Sequence, residues 1–327
     1  LGALSRAGLD NLFSADILDV TDPWTAVSRS LPGNLVGCAL LGFLLGGGFP
    51  RKLSPAAAKG ITTGFCGSLT TWSSFVVGLA TLAAAGQVPD AIIAGFIGLG
   101  ASLFMFRVGA VAGRAVAAKT PEPAPTAAVL PMSPGPEPPR AAPAEPSSTE
   151  AVLWWVLAVA VVAGLVVGLV LDDGAVERRS AWLAGLLAMV GGWGRWRLSV
   201  LNKPPEVPHL LPGGGPQPNP PAPFFMGTFI ANVTATAMSA GLQVARLEQA
   251  SHESQVLVIV GVQVGFCGAL STMSTFASEV YGLEAKGAAG EAHALRYLSL
   301  TFATSVLAAM LLYAVPVWAA DTDGYNP

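Results

Sequence analysis

Residues 151–171 hold no polar side chain. At 1.5 Å per residue, about 20 residues cross the hydrocarbon core of a bilayer, so this stretch has the length and chemistry of a membrane-spanning helix. The whole chain shares the bias. Of its 327 residues, 52% are hydrophobic and only 11% charged, against roughly 25% charged in soluble domains. The expectation is an integral membrane protein with the lipid bilayer as its surroundings. A net charge of −3 argues against a nucleic-acid partner.

Apolar segments flank that stretch on both sides. Leu1–Arg6 reads as the tail of a first span. Further spans fall at about 28–49, 56–85 and 89–113, then at 180–198, 224–245, 255–282 and 291–318. Residues 116–150 are dense in Pro, Ala, Glu and Ser and read as a flexible linker. A second Pro/Gly-rich stretch covers 203–223. The expected fold is an all-α membrane protein of nine spans. It comprises a four-span unit over 1–115, the Pro-rich linker, a linker transmembrane helix over 151–172, and a second four-span unit over 176–320. Four crossings return a chain to its starting side and one more moves it across. The second unit then enters the membrane upside down, as an inverted tandem repeat.

Charge suggests an orientation. Arg51, Lys52, Lys59, Arg114, Lys119, Arg195, Arg197 and Lys203 fall on one side. The acidic stretch with Asp10, Asp16, Asp19 and Asp22 falls on the other, with Asp172 and Asp173. The positive-inside rule makes the first side cytoplasmic, although Arg178, Arg179 and Arg246 lie on the outer side. This predicts a multi-pass plasma-membrane protein, its N-terminus cytoplasmic and its C-terminus extracellular.

The most informative stretch occurs twice. Gly64-Phe65-Cys66-Gly67-Ser68-Leu69-Thr70-Thr71-Trp72-Ser73-Ser74-Phe75 returns as Gly265-Phe266-Cys267-Gly268-Ala269-Leu270-Ser271-Thr272-Met273-Ser274-Thr275-Phe276, identical at eight of twelve positions. Each copy lies in the third span of its unit. Irregular or polar backbone is tolerated at membrane depth only where it faces protein, water or an ion. Gly permits a departure from helix there, leaving carbonyls without intrahelical partners. A broken third helix is therefore expected in each repeat. Two readings stay open: the carbonyls converge on a cation such as Na⁺, or the helices simply cross closely at small residues.

Other polar residues sit inside the spans. Asn34 and Asn232 occupy equivalent positions, and their amides could donate to an anion or tie one helix to another. Tyr297, Thr301 and Ser305, spaced i, i+4, i+8, line three hydroxyls along one helix face. The first unit offers only Ser102 there, with Gly98 a turn before it. Trp72 and Phe75, like Met273 and Phe276, are three residues apart. Aromatic edges carry partial positive charge, so they could face an anion or simply fill the core. Glu279, with Gly78 as its first-unit counterpart, reads as a vestibule residue or a solvated helix-end charge. Cys38, Cys66 and Cys267 read as small core residues. No catalytic set emerges. His209, His252 and His293 lack partners at telling spacing, so the chain is not expected to be an enzyme.

The duplicated motif, the preceding asparagines and the Tyr-x₃-Thr-x₃-Ser face resemble the CrcB/Fluc fluoride channel family. Two such units with an extra span are similar to its two-domain eukaryotic exporters. The resemblance implies a passive, fluoride-selective channel acting as a monomer with pseudo-dimeric halves. Fluoride would be the permeant ion, leaving down its electrochemical gradient. The resemblance further implies a central structural Na⁺ on the carbonyls of Gly67, Thr70, Gly268 and Ser271. It implies a pore lined by Asn34, Asn232, the aromatic positions 72, 75, 273 and 276, and the Tyr297, Thr301 and Ser305 track, with Ser274 and Thr275 beside it. Trp72 and Met273 stand where the family has phenylalanine. Pairing Trp72 with Phe276 keeps two rings, whereas Met273 with Phe75 keeps one. One conducting pore, built mostly from second-half residues, and one vestigial pore are therefore expected. Weak donors without a fixed positive side chain would let fluoride pass without sticking. The alternative is a fluoride/proton or cation antiporter. It would need a membrane-buried carboxylate or a mobile charged site, and none reads as lying well inside a span.

Overall fold

The computed structural model describes residues 1–14, 17–21, 27–48, 54–119, 148–202, 224–249 and 252–320. Most of the expected Pro-rich linker, the loop 203–223, and Asp16, Asp22, Arg51, Lys52, Lys203 and His209 lie outside the described residues. Among the described residues the named elements are all helical.

In chain order they are α1 (Gly2–Leu12), α2 (Leu31–Phe43), α3, α4 (Ser73–Ala84), α5 (Val88–Ala118), α6 (Ser148–Leu171), α7 (Val176–Leu198), α8 (Met226–Glu248), α9, α10 (Met273–Glu284) and α11. Helix α2 runs on through a wider π-type turn, Leu44–Gly48. Helix α3 comprises Pro55–Lys59, the wider turns Gly60–Cys66 and a last turn Gly67–Leu69. Helix α9 repeats this plan with Glu253–Val260, Gly261–Cys267 and Gly268–Leu270. Helix α11 comprises Ala288–Ala309, Met310–Ala314 and Val315–Ala319. The ends of the expected 116–150 linker belong to α5 and α6.

Among the described residues six segments are long and apolar enough to cross a membrane: 31–48, 56–84, 88–118, 151–171, 253–284 and 288–319. The expected count was nine. The other three expected spans fall outside this set for two different reasons. Helix α1 has only 11 residues. Helices α7 and α8 carry polar side chains that turn inward, so their average hydropathy understates their outer faces. Arg195, Thr228, Asn232, Thr236 and Ser239 are buried, while Met189, Trp193, Trp196, Met226 and Met238 are exposed. Helix α6 is the reverse case. Only 6% of its apolar window is buried, and it lies along α7 through Gly168 under Trp182 and Leu165 beside Gly185.

The core forms where the two parts of the chain interlock. Helix α4, which follows the first motif's break, packs against α8 and α11. Helix α10, which follows the second, packs against α2 and α5. Helices α2 and α5 approach at backbone distance, because a Cβ on Gly42 would fall 2.1 Å from the Phe106 carbonyl oxygen. Tight turns after α4 and α10 use Gly86 and Gly287, both at φ +79°, a left-handed conformation that glycine adopts without steric cost. Cys38, Cys66 and Cys267 are buried free thiols, matching their expected core role.

Candidate functional site at the crossing of two broken helices

Both motif copies break as their composition predicts. Thr70 and Ser271 leave the helix with extended backbone, at φ −94°, ψ 154° and φ −78°, ψ 160°. A new helix starts three or two residues later, and the Thr272 hydroxyl accepts the Thr275 N–H at its N-terminus, a standard way to satisfy an orphan donor.

The breaks meet and exchange hydrogen bonds reciprocally. The Ser274 N–H donates to Thr70 Oγ1 at 3.1 Å, and the Ser73 N–H donates to Ser271 Oγ at 3.1 Å. Ser274 Oγ donates to the Cys66 carbonyl at 3.2 Å, and Ser73 Oγ to the Cys267 carbonyl at 3.3 Å. The asparagines hold the breaks from the side. Asn34 Nδ2 donates to the Thr71 carbonyl at 3.0 Å while its Oδ1 accepts the Thr71 N–H at 2.8 Å. Asn232 does the same to Thr272, at 3.2 and 2.8 Å. Each amide nitrogen has a second hydrogen beyond that bond.

Two residues at this centre were not foreseen. Arg6 and Arg195 are buried, at 1% and 4% exposure. Arg6 Nη1 donates to the carbonyls of Ser68 at 2.9 Å, Gly268 at 3.1 Å and Thr70 at 3.4 Å, and Nη2 donates to that of Val264. Arg195 Nη1 donates to the carbonyls of Gly67 at 2.6 Å and Ser271 at 3.5 Å, and Nη2 to that of Thr63 at 2.5 Å. Arg195 was expected among the flanking cytoplasmic charges. It instead lies at the crossing, because the ends of α3 and α9 leave carbonyls that only a strong donor can satisfy without water. Both arginines therefore put fixed positive charge at the crossing itself. The available signal was a second repeat, Gly2-x₃-Arg6 and Gly191-x₃-Arg195. Each of these glycines lets its helix lie on the motif helix: a Cβ would fall 2.4 Å from the Phe65 oxygen at Gly2 and 2.3 Å from the Phe266 oxygen at Gly191.

The aromatic and hydroxyl positions assemble on one side. The Trp72 ring lies 4.6 Å from that of Phe276, which lies 5.1 Å from that of Tyr297. Trp72 Nε1 donates to Ser305 Oγ at 3.0 Å. Tyr297, Thr301 and Ser305 are all buried on one face of α11. Beyond Tyr297 stands Glu279, whose carboxylate accepts from Tyr297 Oη at 2.8 Å, Thr228 Oγ1 at 2.6 Å and Asn202 Nδ2 at 3.1 Å. Glu279 is thus neither solvated nor isolated; it is a buried carboxylate, three residues from the end of the expected 255–282 span. Thr228 and Asn232, one helical turn apart on α8, put that asparagine in the same group of helices.

The corresponding side of the first half differs. The buried face of α5 carries Gly98, Ser102 and Phe106 at the spacing of Tyr297, Thr301 and Ser305. The Phe75 ring fills the space over Gly98, where a Cβ would meet it at 2.3 Å. The Ser102 hydroxyl donates to its own helix, to the Gly98 carbonyl at 2.6 Å, as Thr301 does to the Tyr297 carbonyl at 2.8 Å, so the difference lies in Gly98 and Phe106. Phe75 packs near Phe302 at 6.4 Å, and Met273 is fully buried.

Comparison with known proteins places the chain in a family. The family model described as CrcB-like protein, Camphor Resistance (CrcB), matches residues 1–110 and 182–313. The chain is 37% identical over 119 residues to a fluoride-specific ion channel FluC of Variovorax paradoxus (strain S110), covering 36% of this chain and 90% of that protein. It is 37% identical over 109 residues to the FluC of Polynucleobacter asymbioticus, covering 33% and 83%. It is 44% identical over 71 residues to a FluC 2 of Synechococcus sp. (strain CC9902), covering 22% and 48%. No solved structure matches the chain. Two matched segments, joined by the described crossing of their broken helices, place this chain in the CrcB-like protein family.

Proposed function

We propose that the protein is a passive, fluoride-selective channel that lets cytoplasmic fluoride leave the cell down its electrochemical gradient, and that it is not an enzyme. The observation that carries this reading is the row of buried rings and hydroxyls along one side, Trp72, Phe276, Tyr297, Thr301 and Ser305, whose N–H and O–H groups form a chain from Trp72 to Ser305, Thr301 to the Tyr297 carbonyl and Tyr297 to Glu279. Fluoride is small and strongly hydrated, so its water must be replaced by donors wherever it is confined. Hydroxyls, an amide and aromatic edges in series bind it in many places and hold it strongly in none, which conduction requires.

The conducting route is assigned to Asn232, Phe276, Trp72 and the Tyr297, Thr301, Ser305 track, with Ser274 and Thr275 beside it and Glu279 at its mouth. Asn34, Phe75 and Met273 belong to the vestigial route, in which Gly98 and Phe106 stand where the first route has Tyr297 and Ser305. The nine-span inverted repeat belongs to the same proposal, with halves over 1–115 and 176–320, the Pro-rich linker 116–150 and the linker span 151–172. Its support is the pairing of bonds across the crossing: Thr70 with Ser274 mirrors Ser271 with Ser73. A single chain then supplies both halves and works as a monomer. The plasma membrane belongs to the same proposal, and a cytoplasmic N-terminus and extracellular C-terminus are supported by the remaining flanking charges, Arg51, Lys52, Lys59, Arg114, Lys119, Arg197 and Lys203.

The test is fluoride efflux from liposomes holding the full chain, with voltage set by a K⁺ ionophore. Efflux should be fast, should follow voltage and should exclude chloride. Slow efflux that ignores voltage and follows a pH gradient would instead identify an antiporter.

A further inference from the structure

We propose that the crossing carries its own positive charge, in the guanidiniums of Arg6 and Arg195, and therefore neither requires nor takes up the Na⁺ expected there. The four carbonyls that would hold the ion are those of Gly67, Thr70, Gly268 and Ser271. Each faces a guanidinium N–H, at 2.6, 3.4, 3.1 and 3.5 Å respectively. The arrangement is reciprocal. Arg6 bonds the last turns of α9 through Gly268 and Val264, and Arg195 bonds those of α3 through Gly67 and Thr63. Each arginine also reaches the break of its own half, Arg6 at Thr70 and Arg195 at Ser271.

The donor set suits arginine for three reasons. A helix C-terminus presents unpaired carbonyls and the negative end of the helix dipole, and cations are favoured there. A guanidinium is a planar fork with several donors, so one side chain spans two carbonyls a turn apart as well as a third across the break. A spherical ion among the same oxygens would have to approach two fixed charges of its own sign. The arginines are also anchored from both ends: a Cβ on Gly67 would fall 2.4 Å from Arg195 Nη1, and one on Gly268 would fall 2.3 Å from Arg6 Nη2. The glycines of the motif therefore leave room for guanidiniums, which gives Gly67 and Gly268 a steric role that a bare carbonyl cage does not require.

The experiment measures the thermal unfolding midpoint of the detergent-solubilised full chain, without fluoride, in Na⁺ and in N-methyl-D-glucamine at equal ionic strength. A ligand bound only by the folded state raises the midpoint with its concentration. The expected result is the same midpoint in both cations. A midpoint that rises saturably with Na⁺ overturns the proposal. Arg6→Lys keeps the charge and loses the fork; its midpoint should be lower than that of the parent in both cations, and an unchanged midpoint also overturns the assignment. If that variant does not fold, the cation comparison on the parent chain decides alone. None of these readouts depends on whether fluoride is the permeant ion.

Discussion

The indole nitrogen of Trp72 donates to the hydroxyl of Ser305 at 3.0 Å, joining two buried residues 233 positions apart. The same indole lies 4.6 Å from the Phe276 ring, so Trp72 gives the proposed route a ring and holds the Ser305 hydroxyl in place through its N–H. Trp72→Phe keeps the ring and removes the N–H. It should cost about 1 kcal/mol for the lost bond and leave fluoride efflux within about tenfold of the parent, since each 1.4 kcal/mol is a factor of ten. Trp72→Ala should cost about 3–5 kcal/mol and stop efflux. Equal loss of efflux in both variants, measured in liposomes, would move the essential contribution from the ring to the N–H.

The two phenylalanines that end the motif copies should respond unequally. Both meet Trp72, but Phe276 packs between it and Tyr297, whereas Phe75 meets it edge-on at 6.1 Å and covers Gly98. Phe276→Ile should abolish efflux and Phe75→Ile should leave most of it. Both side chains are almost fully buried, so similar losses of thermal stability are expected. Efflux that survives Phe276→Ile and dies with Phe75→Ile would assign conduction to the other side.

Much of this arrangement was legible in the chain because it breaks local rules. Gly67-Ser68 and Gly268-Ala269 are polar or small residues inside apolar segments, and Tyr297, Thr301 and Ser305 share one helical face; both patterns are local in sequence. Arg6 and Arg195 were not legible as central. An arginine near the end of an apolar segment normally flanks a span, and only the approach of Gly2 and Gly191 to the motif helices draws these inward. The buried carboxylate of Glu279 was hidden for a similar reason, since its partners Asn202, Thr228 and Tyr297 lie on separate elements. Helices α7 and α8 were expected as spans, and their hydropathy is lowered by side chains that face the interior.

The asparagines separate structural from conductive roles. Asn34 and Asn232 each make two hydrogen bonds to one threonine, at closely similar distances. Replacing either with Ala removes both bonds and leaves a buried N–H and C=O unsatisfied, at about 1–3 kcal/mol for each group. Thermal unfolding should show comparable destabilisation in the two variants. Fluoride efflux should fall in Asn232→Ala and persist in Asn34→Ala. Parallel loss in both would show that either break, once loosened, disables the same route.

Two glycines give opposite expectations for one substitution. A Cβ on Gly42 would stand 2.1 Å from the Phe106 oxygen and 2.9 Å from the Ala110 nitrogen, both backbone atoms of α5. Helices α2 and α5 must part to admit it, so Gly42→Ala should destabilise by about 1–3 kcal/mol or more. A Cβ on Gly78 meets nothing within 4 Å, and Gly78 lies within α4. There the helix gains from the reduced backbone freedom of the unfolded chain, so Gly78→Ala should stabilise by about 0.5–1 kcal/mol. Because Gly78 is the counterpart of Glu279 on the route assigned as vestigial, its alanine variant should conduct fluoride at the parental rate. A more stable Gly78→Ala protein with impaired efflux would show that the first-half route carries current after all.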